Sequence, residues 1–239
     1  MSKLIILPVL LLALGVATAT PPELVLLAPL NHTMPFAQYQ EGELSGGVMK
    51  DIGEELARRL GYKARFLTIP SKRSAISLTH GEADGLCFVM PGWIDGKFNW
   101  TRPVIPAAGV IAANSSAPVV TSLQALAGER VGTVLGYRYP EVDAALGEQL
   151  LRDDAPTVLH SLNKLMAGRS KYAIVDQMTV EYHNKRFPAT PLRIDHTYLK
   201  FKASCAFSLT SKVRFADVDR VITGMADDGT IEGILARYR

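Results

Sequence analysis

Six side chains stand out as able to hold a small molecule. Trp93 lies in the loop between two apolar runs, Leu86–Met90 and Val104–Ala113, and Phe36 lies in the loop after the apolar run Leu24–Leu30. A flat ring in either loop offers an apolar wall to a ligand. The stretch Gly132–Tyr139 (GTVLGYRY) brings a strand end, a glycine turn and a helix start together, with Tyr137 and Arg138 at the lip. Free N–H groups and a partial positive charge make such a helix start a natural anion site. Arg73, at the start of a helix expected over Lys72–His80, can serve an anion in the same way. Asp176 follows KYAIV at the C-terminal end of a strand, the side of an open α/β sheet where ligands bind. Its carboxylate suits a cationic group. Tyr39 and His32 are weaker candidates.

Each of these residues also has a plainer reading. The rings can be packed into the protein, and the arginines can be solvated surface charges. Asp176 can be the N-cap of the following helix. The acids Asp95, Glu141 and Asp176 form no tight acid–base constellation, so no catalytic residue is assigned. The two cysteines, Cys87 and Cys205, sit in apolar runs. They read equally as one disulfide or as two buried small hydrophobes. Neither has a histidine at nucleophile or metal spacing, and no metal site is expected.

The elements that must position these residues follow from periodicity. Leu24–Leu30 is a strand. Val48, Ile52, Leu56 and Leu60 recur every fourth residue, which predicts a helix over Val48–Leu60 ended by Gly61. Lys63–Ile69 is a strand broken by Pro70, and Ser71 can cap the helix Lys72–His80. Leu86–Met90 follows the turn GEADG, in which Asp84 supplies turn chemistry. Alternating strands and helices predict a parallel sheet covered on both faces. After the linker-like Asn114–Thr121 the pattern restarts. It gives a strand at Arg130–Leu135, a helix from Pro140 to about Leu151 and a short strand end at Thr157–Leu159. A helix through Leu162 and Met166, a strand at Lys171–Val175, a helix over Gln177–Arg186 and a short strand at Leu192–Ile194 complete it. Phe201–Leu209 is apolar again. Two last helices, through Val218–Met225 and Ile231–Tyr238, have no strands of their own and are expected to cover the first lobe. The chain crosses between lobes near Ala112–Thr121 and Tyr198–Ser204.

With 239 residues, 48% of them hydrophobic and 21% charged, the chain is long enough for two small lobes. Its net charge of +3, with scattered Lys and Arg, argues against nucleic acid as a partner. Lys3, the apolar run Leu4–Val16 and Ala17-Thr18-Ala19 read as a secretory signal cut after Ala19, because about 13 apolar residues fall short of a span. The alternative is an uncleaved anchor. Sequons at Asn31, Asn99 and Asn114 matter only in a eukaryotic secretory pathway.

Several motifs, in order, resemble the bacterial extracellular solute-binding protein family 3, the type II periplasmic binding proteins of amino-acid ABC importers. They are Pro35-Phe36, Gly81-Glu82-Ala83-Asp84, and Ser122-Leu123 with Leu126, Gly128 and Val131-Gly132. Ala173-Ile174-Val175-Asp176 and Asp228-Gly229-Thr230-Ile231 with Tyr238 complete the set. The resemblance implies a two-lobed α/β fold of the periplasmic binding protein type II class, with two crossing hinge segments and a cleft that closes on its ligand. The implied layout is a signal peptide at 1–19, lobe one at 20–113, lobe two at 114–200, and a return to lobe one at 201–239. It places a ring at Phe36 and an acid for the ligand's ammonium at Asp176. It implies a monomer in the periplasm, without cofactor, metal or nucleic acid. Such a protein captures a small polar solute, amino-acid-like or a carboxylate, for the membrane subunits of an ABC transporter. Family members that bind α-amino acids carry an Arg before the segment matching Trp100-Thr101-Arg102-Pro103-Val104. Here that spacing lands near Ile94, with Lys97 and Arg102 out of register. Two alternatives share the fold: an enzyme resembling periplasmic cyclohexadienyl dehydratases, and a sensor reporting ligand to a membrane receptor.

Overall fold

The computed structural model describes residues 21–239. The expected leader at 1–19 lies outside the described residues. The first strand, β1 (Glu23–Pro29), is apolar because both faces are covered, and it pairs in parallel with β4 (Lys63–Ile69) along its whole length. Between them lies a two-stranded hairpin, β2 (Gln38–Gln40) and β3 (Glu43–Gly46), which the sequence pattern does not announce. The helix α1 (Val48–Leu60) buries Val48, Ile52 and Leu56 against the sheet, as its four-residue spacing requires. A short 3-10 turn over Ser71–Arg73 precedes α2 (Ser74–Thr79), so the helix expected over Lys72–His80 is split. The fully buried β5 (Gly85–Val89) lies parallel to β1.

After the short β6 (Asn99–Trp100) comes β7 (Ile105–Ala113). The second half adds β8 (Arg130–Val134), α3 (Pro140–Leu146), β9 (Leu151–Ala155), α4 (Val158–Met166), β10 (Tyr172–Asp176) and α5 (Gln177–Arg186). A long strand, β11 (Arg193–Phe207), returns the chain to the first half, where α6 (Phe215–Asp227) and α7 (Thr230–Ala236) end it. The strand order is β4-β1-β5-β11-β7-β10-β8-β9.

Four sequence expectations are corrected. The sheet is parallel in its outer parts but antiparallel at β5–β11, β11–β7 and β7–β10, because one strand leaves the first half and another comes back. The short strand at Leu192–Ile194 and the apolar run from Phe201 are one continuous strand, whose two register shifts break the alternation that would have marked it. The helix from Pro140 stops at Leu146, and the strand expected at Thr157–Leu159 lies instead at Leu151–Ala155. Thr157 caps α4 by accepting from the His160 N–H.

One hydrophobic core joins β1, β5, α1, α6 and α7, including Leu24, Leu27, Ile52, Phe207 and Leu235. In this core, lobe one, the two C-terminal helices pack against β1, β5 and α1. Two smaller cores flank β7 and β10: Ile111, Leu126, Val131 and Tyr172 on one face, Val110, Leu162, Ala173 and Val180 on the other. They make lobe two. After β7, the segment Asn114–Thr121 packs Ala117 and Val120 beside Ile111. Among the described residues, only β7 and β11 run through both lobes. Cys87 and Cys205 face each other across β5 and β11 and form a disulfide, which selects one of the two readings left open.

Candidate functional site

A cavity of about 160 Å³ lies at the seam between the lobes. Phe36, Trp93, Tyr137, Arg138 and Asp176 all line it. Arg73 does not. It stands on the outside of its turn, with its guanidinium 3.9 Å from Glu82. From the same turn it is Ser71 and Ser74 that reach the cavity.

Lobe one supplies a floor of rings. Phe36 is buried, and its ring stacks on that of Phe88 with centroids 4.1 Å apart. Phe88 has φ 62, a left-handed conformation that a bulky side chain rarely adopts. It occupies the shift in register opposite Ser204 and Cys205, so a β-bulge turns its ring toward the cleft. Beside this floor, Trp93 meets Phe201 edge to face at 5.3 Å. Ile94 also lines the cavity, an apolar side chain where the family spacing would place an arginine.

Lobe two supplies Tyr137, Tyr139, Tyr198, Glu141 and Asp176. Gly109 on β7 leaves room for the Tyr198 ring, since a Cβ there would come within 2.5 Å of it. Tyr139 is held from behind, its Oη accepting from the Val134 N–H at 2.9 Å and Arg152 lying over its ring at 5.1 Å. Asp176 ends β10 and caps α5, its Oδ1 accepting from the Met178 N–H at 2.8 Å. Both readings of this residue therefore coexist in position: it caps a helix and lines the cavity. Its Oδ2 has no hydrogen-bond partner. Burial pushes the carboxyl up to about 7, although nearby backbone N–H groups favour its charged form.

Three sets of contacts bridge the seam beside the cavity, and away from it Lys185 Nζ donates to the Arg239 carbonyl at 2.7 Å. Asn31 donates from Nδ2 to the carbonyls of Leu135 and Pro156, at 3.2 and 2.7 Å, and its own carbonyl accepts from the Val158 N–H at the start of α4. Its Oδ1 accepts from the Ser71 N–H, which anchors it to lobe one. Tyr137 Oη lies 3.0 Å from His32 Nδ1. Burial lowers His32 to about 4, so the ring is neutral at pH 7 and its Nδ1 is free to accept. Arg138 forms a two-pronged ion pair with Asp95, so its guanidinium faces a partner from the opposite lobe.

The sequence reading missed Phe88, Tyr139, Tyr198 and Phe201 and undervalued His32. Phe88 depends on a bulge and the β11 rings on two register shifts, neither of which leaves a mark in periodicity. His32 had a readable signal, its place in the same loop as Phe36.

No family model matches the chain, and no curated protein matches it. Solved structures do. An ancestral arginine-binding protein bound to glutamine is 18% identical, with a TM-score of 0.77, over 92% of this chain and 99% of that one. The arginine-, lysine-, histidine-binding protein ArtJ from Geobacillus stearothermophilus is 17% identical, with a TM-score of 0.75, over 90% and 94%. The ancestral amino acid-binding protein AncCDT-1, a precursor of cyclohexadienyl dehydratase, is 16% identical, with a TM-score of 0.74, over 90% and 95%. The chain therefore has the two-lobed α/β fold of amino-acid-binding proteins, with its cavity in the cleft between the lobes.

Proposed function

We propose that this is a solute-binding protein. It captures a small polar organic molecule between its lobes and presents it to the membrane subunits of an ABC importer. The observation that carries the reading is a ring-lined cavity at a seam crossed by the strands β7 and β11 and bridged by Asn31, His32–Tyr137 and Asp95–Arg138. A cleft so placed can open by bending at β7 and β11 and close by remaking the bridges. The neighbours that bind arginine or glutamine support the same role. We further propose that the leader at 1–19 directs the chain to the periplasm, that the mature protein is a monomer without catalytic activity, and that lobe two spans 114–200. The test is a thermal-shift screen of the mature protein against amino acids, organic acids, amines and short peptides, with small-angle scattering on any hit. The expected result is a rise in Tm together with a smaller radius of gyration. A flat screen across all classes would remove the reading.

A second reading, an enzyme of the dehydratase kind, is favoured by one observation. Asp176, raised to about 7 in an apolar cavity, has the proton affinity of a general acid. Incubation with prephenate or arogenate, following product absorbance, decides it; absence of turnover removes it.

A further inference from the structure

Resting on the capture reading above, we propose that the cleft takes an organic cation: a protonated amine on an aromatic or aliphatic body, with no carboxylate beside it. The argument is one of charge balance. Among the described residues, the charged side chains lining the cavity are Arg138, Glu141 and Asp176. Arg138 is already engaged by both carboxylate oxygens of Asp95. An anionic ligand would share that guanidinium with Asp95, whose charge already balances it. The two acids have no ion-pair partner. Asp176 spends one bond on Met178 and leaves Oδ2 without any, while a carboxylate has about four lone-pair sites to offer. His32 is held neutral by burial and adds no positive charge. Among the described residues the cavity therefore holds two unengaged acids and no unengaged cation, and Asp176 keeps its proton until a cation draws it off.

The walls point the same way. Phe36, Phe88, Trp93 and Phe201 offer ring faces and edges without hydrogen-bonding groups, apart from the Trp93 N–H. An ammonium is attracted to ring faces as well as to carboxylates, whereas a carboxylate is repelled by both. Tyr198 Oη makes no hydrogen bond among the described residues, and it can accept from an ammonium N–H as Asp176 does.

The experiment uses three probes that share one ring: phenethylamine, phenylalanine and 3-phenylpropionate. Each is titrated calorimetrically into the mature protein at pH 6, in two buffers of different ionisation enthalpy. The expected result is that phenethylamine binds at least about tenfold tighter than either carboxylate-bearing probe. Its binding should release up to about one proton, because the ammonium draws Asp176 into its charged form. Asp176→Asn should weaken the amine at least about tenfold and abolish the proton release, and Glu141→Gln should weaken it less. Should Asp176→Asn fail to fold, the proton release in the parent and the Glu141→Gln effect still decide the matter. Tighter binding of phenylalanine or 3-phenylpropionate overturns the cation assignment and leaves solute capture standing. Silence from all three probes also overturns it, and the broad screen then decides capture separately.

Discussion

Asp176 and His32 face one cleft, and their environments push them in opposite directions. The Asp176 carboxyl is raised by burial to about 7, and the Glu181 charge one turn along its helix opposes ionisation further. The folded protein thus keeps a proton that the unfolded chain gives up above pH 4. Stability from this group falls as pH rises from about 4 to 7. Asp176→Asn keeps the helix cap, since Asn caps as well as Asp. We expect it to raise stability at pH 8 by up to a few kcal/mol, at about 1.4 kcal/mol per unit of pKa shift, and to give no gain at pH 4. An unchanged pH slope in urea unfolding would show that Asp176 is better hydrated than its surroundings suggest. His32, lowered to about 4, works the other way. The folded ring stays neutral while the unfolded one charges below 6.5, so stability is lost as pH falls from about 6.5 to 4. His32→Gln should flatten that loss. In the parent the two slopes oppose each other between pH 4 and 6.5, and each single variant should expose the slope of the other group.

At the scale of elements, the turn between β8 and α3 decides how closely the lobes can approach. Gly136 has φ 88, and a Cβ there would lie 2.8 Å from Lys72 Cγ and 3.5 Å from the Lys72 backbone nitrogen, across the seam. Gly136→Ala therefore adds backbone strain of about 1–2 kcal/mol and a wedge between the lobes. We expect weaker ligand binding and a smaller contraction in scattering, with the fold retained. Ligand affinity equal to the parent's would mean that this contact plays no part in closure. The elements were legible wherever burial follows a regular period. The helices Val48–Leu60 and Gln177–Arg186 and the strand Lys63–Ile69 end where apolar spacing and Gly or Pro signals place them. Legibility failed where a tertiary partner sets the local geometry. The bulge that turns Phe88 into the cleft exists only against β11, and β11 conceals its own length because half of it pairs in each lobe. The site was legible in outline for a related reason. Loops after strand ends face the crevice in this class of sheet, so Phe36, Trp93, Tyr137, Arg138 and Asp176 fall around one cavity. Arg73 does not, because the 3-10 turn before α2 rotates it outward toward Glu82.

For the whole molecule, the arrangement is one lobe built from both ends of the chain and a second lobe set between them. Among the described residues the lobes share two strands, and apart from Met178 of α5, which packs into the core of lobe one, their cores are separate, which suits relative motion. A molecule that closes by bending at β7 and β11 should show raised hydrogen exchange near Ile105–Gly109 and Leu199–Ala203 without ligand, and protection with it. Uniform protection in both states would argue that the two lobes move as one body. The disulfide adds a consequence of connectivity. Cys87 and Cys205 are 118 positions apart, and every residue of lobe two's two cores lies between them. The bond therefore clasps the neck of a loop and leaves the loop's interior to the protease. A single cut anywhere within lobe two, at the exposed Phe187 for instance, would sever the backbone yet leave both fragments in one covalent piece. Such a nicked chain should run at full length on a non-reducing gel and fall into two bands on reduction.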